Sequence, residues 1–115
     1  MIGRDPQHQM LLLQLSREAM DKEHELVPTI SMFYGIVIYL YFYDNERHKT
    51  PHIHAKYQGQ DASISIIDGD VLAGEIPQGK LRLVQAWIEI HRESLLADWD
   101  LAVNGQTPFT IDPLR

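Results

Sequence analysis

Hydrophobic and polar positions change rhythm twice along this chain, and each change predicts a different kind of element. From Gln7 to Leu26, Met10, Leu11, Leu13, Leu15, Ala19 and Met20 stand among Gln, Glu, Lys and Arg, a helix-favouring mixture without glycine or internal proline. Pro6 suits the first turn behind Asp5 as a cap, and Pro28 ends the segment, because a residue before proline is steered out of helical geometry. The pattern predicts a helical extension over residues 1–27 and a single domain over residues 28–115. An isolated helix of this length is marginal in water, so it needs a surface to lie on, in the domain or on a second chain.

From Ile30 onward the pattern is that of strands. Residues Ile36 to Tyr43 are β-branched and aromatic almost throughout, which predicts a central strand covered on both faces, with Tyr39, Tyr41 and Tyr43 on one side and Phe42 on the other. A polar connection from Asp44 to Lys49 leads through Pro51 into a strand of histidines. Gly59-Gln60 predicts a turn, Ala62 to Ile67 alternates Ile with Ser, and Asp68-Gly69 is a hairpin signal before Val71-Leu72-Ala73. Pro77 then opens a long helix. Its apolar residues Leu81, Val84, Trp87, Ile88 and Leu95 recur with helical period to about Leu96, and Trp99 and Leu101 continue the stripe beyond a break. Asn104-Gly105 stops it, and Thr107 to Arg115 reads as an irregular tail. The expected architecture is α+β: a small antiparallel sheet of three to four strands with one long C-terminal helix packed on one face.

Composition narrows the chemistry. A chain of 115 residues has room for one domain of this kind. It contains no cysteine, which excludes disulfides, thiolate zinc sites and thiol catalysis. No apolar run reaches the roughly 18 residues of a membrane span, and Met10–Leu15 lacks the flanks of a signal peptide, so a cytoplasmic protein is expected. The formal charge of −6 is unlike the basic surface that gives tight nonspecific binding to nucleic acid. Arg47, Lys49 and Lys56 still leave room for a small cationic patch, and RNA remains open as a substrate.

The candidate chemistry lies in Thr50 to Tyr57, Thr-Pro-His-Ile-His-Ala-Lys-Tyr. Side chains alternate along a strand, so His52, His54 and Lys56 share one face while Ile53 and Ala55 take the other. Imidazole is the side chain that most readily moves a proton near neutral pH, and it is a common metal ligand. The plain alternative is two half-exposed histidines on the polar face of an edge strand. Two ligands are not a metal site; His91, on the helical stripe between Trp87 and Leu95, supplies a third nitrogen only if the helix covers the histidine face. Arg47 and Tyr41 are candidates for holding substrate, through phosphate and base, and Glu75 is a weaker candidate acid or base. No P-loop, GxGxxG, GxSxG or HExxH motif occurs.

Several segments together resemble a known family. Pro28-Thr29-Ile30-Ser31, Phe33-Tyr34-Gly35-Ile36, Pro51-His52-Ile53-His54-Ala55, Asp68-Gly69-Asp70-Val71-Leu72, and the Leu81, Trp87, His91-Arg92, Leu95 and Trp99 positions of the helix are similar to a family of small bacterial domains of unknown function. Its members carry a Pro-His-Phe-His-Ala-type strand and are often encoded in gene pairs of toxin–antitoxin type. The resemblance implies a toxin component inhibited by a small cognate protein encoded nearby; it brings no catalytic assignment. This chain departs from the family at its front, where Val27-Pro28 stands at the usual start and the helical extension precedes it. That extension is a natural place for partner binding or for a homo-oligomer.

The resulting expectation is a His-dependent ribonuclease without metal or cofactor. His52 and His54 transfer protons, His91 lies close by, and Lys56 stabilises phosphate charge. Two alternatives stay open: a non-enzymatic binding module, antitoxin or regulator, with structural histidines, and a small metal-binding protein using His52, His54 and His91.

Overall fold

Two dipeptides ending in glycine set the strand pairing. Tyr34 and Gly35 have φ of 50° and 79°, and Gln58 and Gly59 have φ of 47° and 82°. Two successive left-handed residues make the tight turn whose twist matches that of paired antiparallel strands. The computed structural model describes residues 27–45 and 49–115. Within them the chain forms β1 (Thr29–Phe33), β2 (Ile36–Tyr39), β3 (His52–Tyr57), β4 (Gln60–Ser65) and β5 (Val71–Gly74), followed by one helix, α1 (Gln78–Val103). The strands pair antiparallel in chain order, a five-stranded meander.

The α+β class stands, and the strand number is corrected from three or four to five. The added strand is β1, which hides in the sequence because its turn residue is a tyrosine rather than Asn or Asp. β2 is shorter than its β-rich run suggests. After Tyr39, the Leu40 N–H donates to Pro28 O at 3.2 Å and the Tyr43 N–H donates to Ala102 O at 2.9 Å. With Tyr43 at φ 57°, the chain turns off the sheet toward the end of α1.

Register assigns the two faces of the sheet. Ile38 stands opposite Ala55, Ile53 opposite Ile64, and Ala55 opposite Ala62, all fully or almost fully buried. They form the core with Val84, Trp87, Ile88 and Leu95 of α1. Burying a large aliphatic side chain in this way contributes about 1.5–3 kcal/mol relative to exposure. The helix therefore covers the Ile53–Ala55 face of the central strand, and its far end reaches the other face only at His52, through Trp99. The other face carries Tyr39, His54 and Ser63 in one row and Lys56 opposite Asp61 in the next.

α1 bends at His91, where φ −113° and ψ 21° leave helical geometry, so the break lies five residues before the expected one and the helix runs on through Trp99. It ends as expected at Asn104-Gly105: Gly105 adopts φ 77°, and the Gln106 N–H donates to Leu101 O at 2.8 Å. The tail is irregular but anchored. Ile111 N–H donates to Ile30 O at 2.8 Å, and the buried Trp87 Nε1–H donates to Asp112 O at 2.7 Å. No helix among the described residues is long and apolar enough to cross a membrane. The expected N-terminal helix falls on residues that lie outside the described ones.

Candidate functional site

His52 and His54 do share a face, and the loop between β2 and β3 places Asp44 against both. The Tyr43 tie to Ala102 holds that loop beside the sheet. His52 Nε2 lies 2.9 Å and His54 Nε2 2.6 Å from one and the same carboxylate oxygen, Asp44 Oδ2. Each ring is fixed from its other nitrogen: His52 Nδ1 lies 2.8 Å from Thr50 O and His54 Nδ1 3.3 Å from Ser63 Oγ. The His52 ring also packs on Trp99, with centroids 4.8 Å apart, and is 1% exposed.

Proton positions follow from these partners. A carbonyl oxygen only accepts, so His52 Nδ1 donates to Thr50. An ionised carboxylate also only accepts, so His52 Nε2 donates to Asp44, and the ring is an imidazolium. Burial pushes the His52 pKa down, but the bonds to Asp44 and Thr50 outweigh it and raise it above the ordinary histidine value. Burial likewise pushes the Asp44 carboxyl up, and the two imidazoles outweigh it, holding it well below the usual carboxylate range. His54 differs from its neighbour. Its Nε2 donates to Asp44, and its Nδ1 faces a hydroxyl that donates as readily as it accepts.

An aromatic groove adjoins the cluster. Tyr39 stacks on His54 with centroids 5.3 Å apart and an interplanar angle of 21°, and Tyr41 meets the same ring edge-on at 4.6 Å. Tyr39 and Tyr41, with Lys56, Asp61, Val37 and Thr29, line a hollow of about 180 Å³. The Tyr39 hydroxyl donates to Asp61 Oδ2 at 2.7 Å; burial, then Asp61 and Tyr41, push its pKa well above the tyrosine value.

The structure brings together His52, His54 and Tyr41, and sets Lys56 along the same face at the groove. His91 does not join them. The helix covers the Ile53–Ala55 face, so His91 packs on Trp87 at 5.6 Å and lines a separate hollow with Asp98, Phe109 and Asp112. Glu75 lies exposed just beyond β5, its N–H donating to Asp61 O at 3.0 Å. Arg47 lies outside the described residues. Asp44 is the member that sequence reasoning passed over. It reads as one more polar loop residue, and no spacing rule links a loop carboxylate to a histidine eight positions on.

The family described as domain of unknown function DUF4160 matches residues 35–100. The chain belongs to this family. The DUF4160 match spans β2 to most of α1 and so contains Asp44, His52, His54, the groove tyrosines and Lys56. No curated protein matches the chain, and no solved structure does.

Proposed function

We propose that the protein acts on RNA in the cytoplasm as the toxin component of a two-gene bacterial module, restrained by a small cognate protein encoded nearby. The observation that carries this reading is the Asp44–His54 pair packed against both tyrosines of the Tyr39–Tyr41–Lys56 groove. Aromatic rings stack on unpaired bases of any sequence, and a lysine beside them meets the phosphate backbone. His54 is the proton carrier. Asp44 orients it through Nε2, and Nδ1, whose bond to Ser63 is the longest in the cluster, accepts the proton of a ribose 2′-hydroxyl. The resulting 2′-oxygen attacks the adjacent phosphorus, the bond from phosphorus to the 5′-oxygen breaks, and the proton passes from His54 to that leaving oxygen. Lys56 balances the charge that builds on the phosphate. His52, buried with both nitrogens engaged, is a positioning residue that keeps Asp44 ionised.

The test uses metal-free full-length protein and single-stranded RNA. The wild type yields fragments ending in 2′,3′-cyclic phosphate and arrests growth when expressed, whereas His54→Ala does neither; equal activity of the two forms, or none in either, overturns the proposal. One observation favours a second reading, a binding module with structural histidines: His52 is occupied entirely within the protein. That reading predicts a stoichiometric complex with a partner protein and no cleavage by either form.

A further inference from the structure

Asp44, His52 and His54 come from two chain segments and converge: one ligand atom from each lies within 4.8 Å of the others, and both Nε2 atoms meet the same Asp44 Oδ2. Ligand atoms around a zinc ion sit about 2.0–2.2 Å from it, so neighbours in its tetrahedral shell lie about 3.3–3.6 Å apart. The two separations from Asp44 Oδ2, 2.9 Å and 2.6 Å, are hydrogen-bond distances that open to that spacing with movements of about 1 Å or less. Binding needs that outward movement, loss of the His52 Nε2 proton and transfer of the His54 proton from Nε2 to Nδ1.

The outer contacts supply a second, independent argument. A ligating histidine usually gives its other N–H to a backbone carbonyl or carboxylate, which fixes the tautomer and aims the lone pair. His52 does this with Thr50 O at 2.8 Å, and His54 has Ser63 Oγ in the corresponding position. Trp99 on His52 and Tyr39 and Tyr41 on His54 hold both rings in place. Asp44 also answers the requirement for a third ligand that His91 does not meet.

We propose that Asp44, His52 and His54 bind one divalent transition-metal ion. Two imidazoles and one carboxylate form the donor set that suits zinc and iron(II), and they leave coordination positions for water or substrate. The proposal rests on the reading of these residues as a working centre, but not on RNA cleavage. Within that reading it adds regulation: an ion on His54 Nε2 leaves the proton on Nδ1, and the base needed for cleavage is lost.

The experiment titrates ZnCl2, and separately CoCl2, into full-length protein stripped with EDTA and without a histidine tag, in the absence of RNA. The expected result is one ion per chain by calorimetry, visible ligand-field bands with cobalt, and a rise in melting temperature with zinc. Asp44→Asn and His54→Ala, checked for folding by circular dichroism, lose about 100-fold in affinity or more, Ser63→Ala loses about tenfold, and His91→Ala binds as the wild type. No binding, or equal binding by wild type and the Asp44 and His54 variants, overturns the site. RNA cleavage is assayed apart, in EDTA, so failure of the cleavage reading leaves the metal result standing, and the reverse holds too.

Discussion

Asp98→Asn should stabilise the protein at alkaline pH and leave it unchanged in acid. Asp98 lies on the buried side of α1, 2% exposed. Its Oδ1 accepts the Phe109 N–H at 2.9 Å, while its Oδ2 has no hydrogen-bond partner among the described residues. Burial pushes its pKa up; the Phe109 N–H opposes this and does not cancel it. A buried polar group left unpaired costs about 1–3 kcal/mol, and more when charged. Asparagine keeps the Oδ1 acceptor and removes the charge, but its amide nitrogen inherits the unpaired position. Only the excess due to charge is therefore recovered, about 1 kcal/mol, or about 4 °C in melting temperature for a domain of this size.

The sign of the pH effect follows from the raised folded-state pKa. Asp98 contributes stability relative to its charged form below the unfolded carboxyl value of about 3.9, and this is lost as pH rises through the folded value. The wild type should thus fall progressively behind the asparagine variant as pH rises above about 4. Urea unfolding at pH 4, 6 and 8 measures the difference directly. A variant less stable than the wild type at pH 8 would show that the carboxylate charge has a favourable partner, and the reasoning would fail.

Other perturbations test the site and its support. Asp44→Ala removes the acceptor shared by two imidazoles, one of them fully buried; because Asp44 is itself partly exposed, metal-free protein should lose about 2 kcal/mol, read by chemical denaturation. Gly74→Ala forces a side chain into φ 73° and onto the backbone carbonyl of Asp61, so it should cost about 2 kcal/mol or more. Gly59→Ala, at φ 82° with open space around it, should cost only about 1 kcal/mol, and equal losses would contradict the packing. Tyr41→Ala should raise KM for single-stranded RNA about tenfold with little change in kcat, since a stacked base is worth about 1–3 kcal/mol. A fall in kcat alone would remove the tyrosine from substrate binding.

Much of this protein is legible without its structure. The α+β class, the His52–His54 face, the turn near Asp68-Gly69 and the long helix that opens at Pro77 all follow from spacing between near neighbours. Alternation and helical period are local consequences of backbone geometry. Tertiary structure alone decided which face the helix covers, and with it the separation of His91 from the other two imidazoles. It also decided where β2 ends: Tyr41 and Tyr43 suit a strand, but the Tyr43 N–H reaches Ala102, nearly sixty residues away, and the chain leaves the sheet to make that bond. Asp44 comes to the histidines by the same detour. A loop carboxylate has no periodicity of its own, and its partners are chosen only when the distant helix end closes on the loop.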